Sequence, residues 1–423
     1  MMECPIRHFK SSGCQKPSLF TWLTALLLAA GSSSEGNAAD GERRVAALTT
    51  VYRHNSQADV LVSRLLLTHM LDGTGQESPL KLVSLYTDQR PPNDISRLLA
   101  ASHRFRLGSN IADTLTLGTG RLAVDGVLLI AEHGEYPRSA TGNTQYPKRR
   151  FWDETIEVFR QSGRVVPVFV DKHLADNWED ARHIYETARE LGIPLMAGSS
   201  VPGSWRFPPA DPARGEALDG IVVVTYGSTD HYGFHALECL QAVVEQRKGG
   251  ETGVRAVQSQ SGTDVWKAIR KQQVDPALLA AALGHVTPER LDLASLRRKV
   301  PEPILWQIEY ADGLRASVVE LNGAATGWAS AWRSREGGRV ESTRFWTQEA
   351  RPAAHFTLLL HGIEQMMLAG RPAWTAERTL MSSGLLDGAC PPGERGLKGL
   401  DGNAVFGNGW RVNLERRPQI EPL

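Results

Sequence analysis

The stretch Val168–Ser199, VFVDKHLADNWEDARHIYETARELGIPLMAGS, decides the fold. It opens within the strand expected at Val165–Val170, a short run apolar on both faces, as a central strand of a parallel sheet must be. Asp171-Lys172-His173 breaks it with three ionisable residues. Asn177–Leu191 then carries apolar residues at helical spacing, and Pro194–Gly198 begins a second buried strand. Strand, helix, strand in this order is one βαβ unit, and its ionisable triplet lies at the carboxyl end of the first strand, where open α/β sheets bind ligands.

The same alternation runs outward from this unit. Strands are expected at Val45–Val51, Leu82–Tyr86 and Asp125–Ala131, with helices at Ala58–Leu71, Asp94–His103 and Trp152–Gln161. Right-handed crossovers between such strands give a Rossmann-like doubly wound parallel sheet over residues 40–205. The Pro/Gly-rich segment around Pro202–Gly215 marks a linker, placed at 206–219. Beyond it, Gly220–Tyr226, Leu305–Ala311, Arg315–Leu321 and Thr343–Trp346 read as strands. Helices are expected at Gly233–Arg247, His355–Leu368 and Glu377–Leu386. This non-alternating order predicts an α+β domain with a mostly antiparallel sheet over 220–423.

The chain has 423 residues, 41% of them hydrophobic, with 47 basic and 47 acidic side chains. That balance argues against a nucleic-acid protein, which carries a basic excess or stripe. Arg7, Lys10 and Lys16 precede the apolar run Leu19–Ala30, and small residues follow at Asn37-Ala38-Ala39. Residues 1–39 therefore read as an export signal, its apolar run short of the ~20 residues of a membrane span. An uncleaved anchor is the alternative, and no later segment is apolar enough to span. The expected location is periplasmic or extracellular. Cys239 and Cys390 alone remain after such cleavage, and spacing does not show whether they pair.

A dinucleotide site of the usual kind needs glycines after the first strand. Here the position reads Thr49-Thr50-Val51-Tyr52-Arg53-His54-Asn55-Ser56, with no glycine between Gly41 and Gly73. Arg53, His54, Asn55 and Ser56 would instead suit a smaller anion at a helix N-terminus; the alternative is that Asn55 or Ser56 simply caps the helix, with Ser56 favoured. Asp88 ends the second strand, where such folds place a ribose-binding acid; its alternative role is to cap the loop or orient Arg53.

Several candidates for chemistry gather at predicted strand ends: His133 and Tyr136 after the third strand, Lys172 and His173 after the fourth. His231, His235 and Glu238 lie in DHYGFHALECLQAVVE (230–245), with His235 and Glu238 on one helical face. Lys172 would donate to a substrate oxygen, or form a salt bridge with Asp171. His133, His173, His231, His235 and Glu238 would together suit zinc or manganese. His69, His103, His183, His285, His355 and His361 have no such placement and read as structural.

These motifs resemble those of the Gfo/Idh/MocA family of sugar and polyol dehydrogenases. Asp171-Lys172-His173 stands where the family has Glu-Lys-Pro, which keeps the active-site lysine. In DHYGFHALE, His231 stands at the family's aspartate, Gly233 at its glycine, His235 at its catalytic histidine and Glu238 at its second acid. AGRPAWTAERTLMSSGLLDGA (369–389) is similar to the closing helix. The resemblance covers most of residues 44–390. It implies an oxidoreductase acting on a sugar, polyol or cyclitol, with NAD(P) as cofactor and an oligomer formed through the second sheet. Lys172 and His235 would handle the hydroxyl proton. The missing glycines and the export signal keep two alternatives open. One is a nucleotide-independent lyase, epimerase or hydrolase working with a divalent metal. The other is a sugar- or anion-binding protein using Trp152, Trp178 or Trp205.

Overall fold

The computed structural model describes residues 42–389, apart from 72, 140, 141, 290 and 291, together with 404–405. The signal segment and Cys390 lie outside these residues, and Cys239 is buried with a free thiol. No helix among the described residues is long and apolar enough to cross a membrane.

The first sheet is built from β1 (Arg43–Thr49), β2 (Leu80–Thr87), β3 (Arg106–Leu107), β4 (Gly126–Ile130), β5 (Val168–Asp171) and β6 (Leu195–Gly198). All pairings are parallel, in the order β3-β2-β1-β4-β5-β6, the doubly wound arrangement with its switch point between β1 and β4. Every residue of β4 and β5 is buried, because helices cover both faces. On one face Leu48, Val127, Leu129, Val168 and Val170 meet α3 (Ile111–Thr116), α4 (Lys148–Ser162) and α5 (Trp178–Glu190). The local code of α5 is plain: Asn177 caps it by accepting from the Asp180 amide, acids occupy its first turn, and Ala181, Ile184, Tyr185 and Ala188 form its buried stripe.

The other face carries α1 (Gln57–Leu66), with α2 (Ser96–His103) beyond it. It also carries an element from far along the chain. Leu359, Ile363, Met366 and Met367 of α10 (His355–Ala369) pack with Val45, Ala47, Leu128 and Ile130. The sequence groups this helix with the second domain, yet its apolar side covers the first sheet.

The second sheet comprises β7 (Trp205–Phe207), β8 (Leu218–Thr225), β9 (Val254–Ser261), β10 (Ile304–Tyr310), β11 (Arg315–Glu320), β12 (Trp328–Ser334), β13 (Val340–Trp346) and β14 (Ala404–Val405). Its order is β14-β9-β10-β11-β8-β12-β13-β7, antiparallel except for β8 with β11. Trp205–Phe207, read as the end of one domain and the start of a linker, is thus the edge strand of this sheet. One face packs on α6 (Phe234–Val244) and α11 (Glu377–Ala389). The other is partly covered by α7 (Thr263–Arg270) and α8 (Pro276–Val286), followed by α9 (Leu293–Lys299). The sequence reading did not find α3, α7, α8, α9, β9 or β12. It also extended the first helix to Leu71, whereas α1 stops at Leu66.

Candidate functional site

The carboxyl ends of β1, β4 and β5 face the start of α6 across a cavity of about 290 Å³. That is at the small end of ligand pockets, roughly 300–1,000 Å³. Lys172, His133, His231, His235 and Asn55 line it, as the sequence predicts. So do Gln57, Ser200, Tyr232, Trp328, Thr347, Glu349, Arg351 and Ala353, which the sequence does not single out, and His355, which it reads as structural.

Backbone conformation marks the same place. Among the described residues seven non-glycine residues have positive φ, and four of them line this cavity: Asn55 (59°), His133 (66°), Lys172 (54°) and Ala353 (52°). L-residues avoid this region, and strain of this kind gathers where function holds it in place. A π-helical turn, Thr229–Gly233, leads into α6 and presents His231 and Tyr232 to the cavity. Such turns are frequent at functional sites.

Beneath Lys172 lies a buried charge network. Glu132 accepts from Lys148 Nζ at 3.0 Å through one oxygen and from Lys172 Nζ at 3.3 Å through the other. Lys148 Nζ also donates to the carbonyls of Asp171 and His173, each at 2.8 Å. The lysine's salt bridge is therefore with Glu132, not with its neighbour Asp171. Burial lowers Lys172, but the Glu132 and Asp171 carboxylates together outweigh it and raise the lysine above its ordinary range. Burial raises Glu132 too, but Lys172 and Lys148 overcome it and hold the carboxyl far below the usual range. Asp171, fully buried with one oxygen unpartnered, is pushed up by its desolvation.

His133 and His235, beside this charge, are held neutral. Burial and then Lys172 lower His133 to about 4. Burial and then Lys172 also take His235 well below its ordinary value, and His235 Nδ1 has no hydrogen-bond partner. His231 contacts Ser228 Oγ through Nδ1 at 3.1 Å and Tyr146 Oη through Nε2 at 3.4 Å. The cavity wall is aromatic: Tyr232 stacks on Trp328 at 5.4 Å and 12°, and the edge of His235 meets Trp328 at 5.4 Å. Charge on one side and an aromatic face on the other suit a compact molecule with polar edges and an apolar C–H face. A sugar or cyclitol ring has that shape.

Other predicted site residues are placed elsewhere. His54 is largely exposed, its ring 3.6 Å from Asp59, outside the cavity lining. Asp88 does not orient Arg53; it accepts from Tyr86, Tyr136 and Arg150 at 2.7, 2.8 and 2.6 Å. Tyr136 is turned towards that carboxylate rather than towards the cavity. His173 is buried behind the cavity against Tyr146 and Phe234. Glu238 is buried, accepting from the Ser199 amide at 3.0 Å. His133, His173, His231, His235 and Glu238 are not grouped as a metal centre; His173 lies 3.5 Å from Glu132, Glu238 is bonded to Ser199, and neither lines the cavity. Trp152 is fully buried, and neither Trp178 nor Trp205 reaches the cavity; Trp328 takes the place expected of them.

Glu238 gives a pH test. Burial raises it from 4.5 to about 7, against the pull of Arg378 and the Ser199 hydrogen bond. A buried acid whose folded value is raised favours its protonated form. Its stabilising share is full below 4.5 and is lost as pH climbs to about 7. The expected result is that Glu238→Gln matches the parent near pH 4.5 and exceeds it at pH 8 by on the order of 3 kcal/mol. Urea unfolding at the two pH values measures this, and an equal difference at both would refute it.

The turn after β1 shows what became of the dinucleotide seat. Ser56 caps α1, accepting from the amides of Arg53 and Asp59 at 3.2 and 3.3 Å. The Asp59 carboxylate lies at the same helix end, accepting from the Asn55 amide and from Arg351, each at 2.8 Å. Val51 and Tyr52 are buried. The helix end that would attract a pyrophosphate is thus met by the chain's own buried carboxylate.

No family model and no curated protein matches the chain. Among solved structures it is similar to GenD2 from gentamicin A biosynthesis in complex with NAD, with a TM-score of 0.52 at 15% identity, over 82% of this chain and 93% of that one. It is also similar to apo scyllo-inositol dehydrogenase from Lactobacillus casei, at 0.49 and 10% over 83% and 96%. A Gfo/Idh/MocA family oxidoreductase from Vibrio cholerae gives 0.47 and 15% over 82% and 97%. Only the first score exceeds 0.5, and at such identity it speaks for fold. The chain shares the fold of GenD2, a doubly wound sheet followed by a mostly antiparallel one, and its first βα turn is built around Ser56 and Asp59. A dinucleotide bound in the manner of glycine-loop proteins does not fit that turn.

Proposed function

We propose that the protein is an oxidoreductase-like enzyme that takes one sugar or cyclitol ring into the cavity and moves the proton of a ring hydroxyl. The observation that carries this reading is the pairing of a charged Lys172 with a neutral His235 in one cavity, beside the Tyr232–Trp328 face. The Lys172 ammonium donates to the substrate oxygen and stabilises negative charge there. The His235 imidazole accepts the hydroxyl proton and becomes imidazolium, while a hydride-accepting cofactor would take the hydride from the carbon that bears the hydroxyl; the reverse step returns both. Glu132 keeps Lys172 charged and aimed. No step is routed through a dinucleotide, since the turn after β1 does not fit one.

One observation favours a second reading, an NAD(P)-dependent dehydrogenase. A groove of about 570 Å³ lies beside the switch point, lined by Val51, Arg53, Gln89, Arg90, Pro91, Pro92, Asn93, Gly134 and Glu135. It would have to hold the cofactor by its two arginines, without the helix end.

Thermal unfolding with a panel of inositols and aldoses, and separately with NAD and NADP, tests both. A ligand at 100 times its Kd stabilises the native state by about 2.7 kcal/mol. At least one polyol is expected to raise the midpoint, and neither dinucleotide is. A dinucleotide shift would move the conclusion to the second reading. A panel without any polyol shift would refute the first.

A further inference from the structure

His361 and Glu364 stand three apart on α10 and so share one face. Across from them His69 sits in the segment between α1 and β2. Two bonds fix it there: its amide donates to Gln76 O at 2.8 Å, and Thr357 Oγ1 donates to its carbonyl at 2.9 Å. The His361 and His69 rings meet edge to face, with Nε2 of the first 3.3 Å from Nδ1 of the second. The other nitrogen of His69, Nε2, is 2.7 Å from Glu364 Oε1, which also accepts from Ser78 Oγ at 2.6 Å. His69 and Glu364 are buried, whereas His361 is partly open to solvent.

We propose that His69, His361 and Glu364 form a binding site for a borderline divalent cation of the zinc type. The site is separate from the polyol cavity and independent of the function proposed for it. Three features carry it. Ligand atoms of the three residues lie within 4.8 Å of one another, the one such group among the described residues. Two imidazole nitrogens on a tetrahedral ion at ~2.0–2.1 Å are separated by ~3.3 Å, which is the His361–His69 spacing found here. With Nε2–H given to Glu364, His69 leaves the Nδ1 lone pair facing His361, the tautomer a metal ligand needs. A histidine oriented by a carboxylate is the usual arrangement around metal-bound imidazoles. Glu364 supplies that orientation from the far side of the His69 ring; to act as third ligand it would exchange this bond for one to the ion. Two imidazoles and one carboxylate favour zinc over magnesium or calcium, which take oxygen sets. The ion would join the segment after α1 to α10, whose first turn brings His355 and Phe356 to the polyol cavity.

Zinc titration of the full chain by calorimetry, after removal of metal with a chelator, tests the proposal. One equivalent is expected to bind. His361→Ala and Glu364→Gln are each expected to weaken binding by about 10–100-fold or more, whereas His103→Ala leaves it unchanged. Glu364→Gln keeps the side chain's shape and an acceptor for Ser78, so it reports on the site even if a larger change unfolds the chain. Absence of stoichiometric binding, or binding that survives both His361→Ala and Glu364→Gln, would overturn the assignment; the latter result places the ion elsewhere.

Discussion

Lys148→Met is expected to destabilise the protein by about 3–5 kcal/mol, the cost of breaking a buried ion pair by removing one partner. Lys148 is fully buried, and its three ammonium protons match its three partners: Glu132 Oε1 at 3.0 Å and the carbonyls of Asp171 and His173 at 2.8 Å. Methionine fills a similar volume without a donor, so two carbonyls and a carboxylate oxygen lose their bonds inside the protein. The damage falls on the turn that presents Lys172, because the two carbonyls flank that residue. Urea unfolding measures the loss. The double variant Glu132→Gln/Lys148→Met should lose less than the sum of the single changes, since the first removes the charge that the second strands. A Lys148→Met protein within 1 kcal/mol of the parent, on the order of an ordinary surface change, would show that the network does not hold this turn.

The parts of this site that the sequence made legible are those written locally. The alternation of apolar strands and helices gave the sheet, and its carboxyl ends brought Lys172, His133, His231 and His235 to one cavity. Ser56 reads as a helix cap and acts as one. What stayed hidden depends on contacts between distant residues. In Glu132-His133 the histidine draws attention, yet the glutamate is the hub. Its role comes from Lys148 and Lys172, 16 and 40 residues away. Asp88 stands where a ribose acid belongs, but Arg150 and Tyr136, arriving from α4 and the β4 loop, engage it together with Tyr86 of its own strand. His69 and His361 looked structural because 292 residues separate them. Helix α8, PALLAAALGHV, is apolar nearly all round and lacks the alternation that marks a surface helix. The packing of α10 on the first sheet follows from which apolar face is left uncovered, a property of the assembled molecule.

Lys172→Met is expected to lower turnover of the polyol that the protein binds by roughly 10²–10⁴-fold, the range of a positioned acid or base. Stability should change far less than in Lys148→Met, because Glu132 keeps Lys148 as partner. Arginine is not expected to restore activity: its planar fork does not replace a compact ammonium at a site 3.3 Å from one carboxylate oxygen. Two further readouts separate chemistry from structure. Lys172 has φ of 54°, a conformation that glycine adopts freely, so Lys172→Gly should be more stable than Lys172→Ala while both remain inactive. His235 is held down first by burial and then by the charge of Lys172. Removing that charge raises His235 towards its ordinary value, so the imidazole is protonated at higher pH. The acid limb of kcat/KM in Lys172→Met should therefore move up in pH. An unmoved acid limb would separate Lys172 electrostatically from His235. Turnover within tenfold of the parent would remove Lys172 from the reaction and leave the cavity as a binding site.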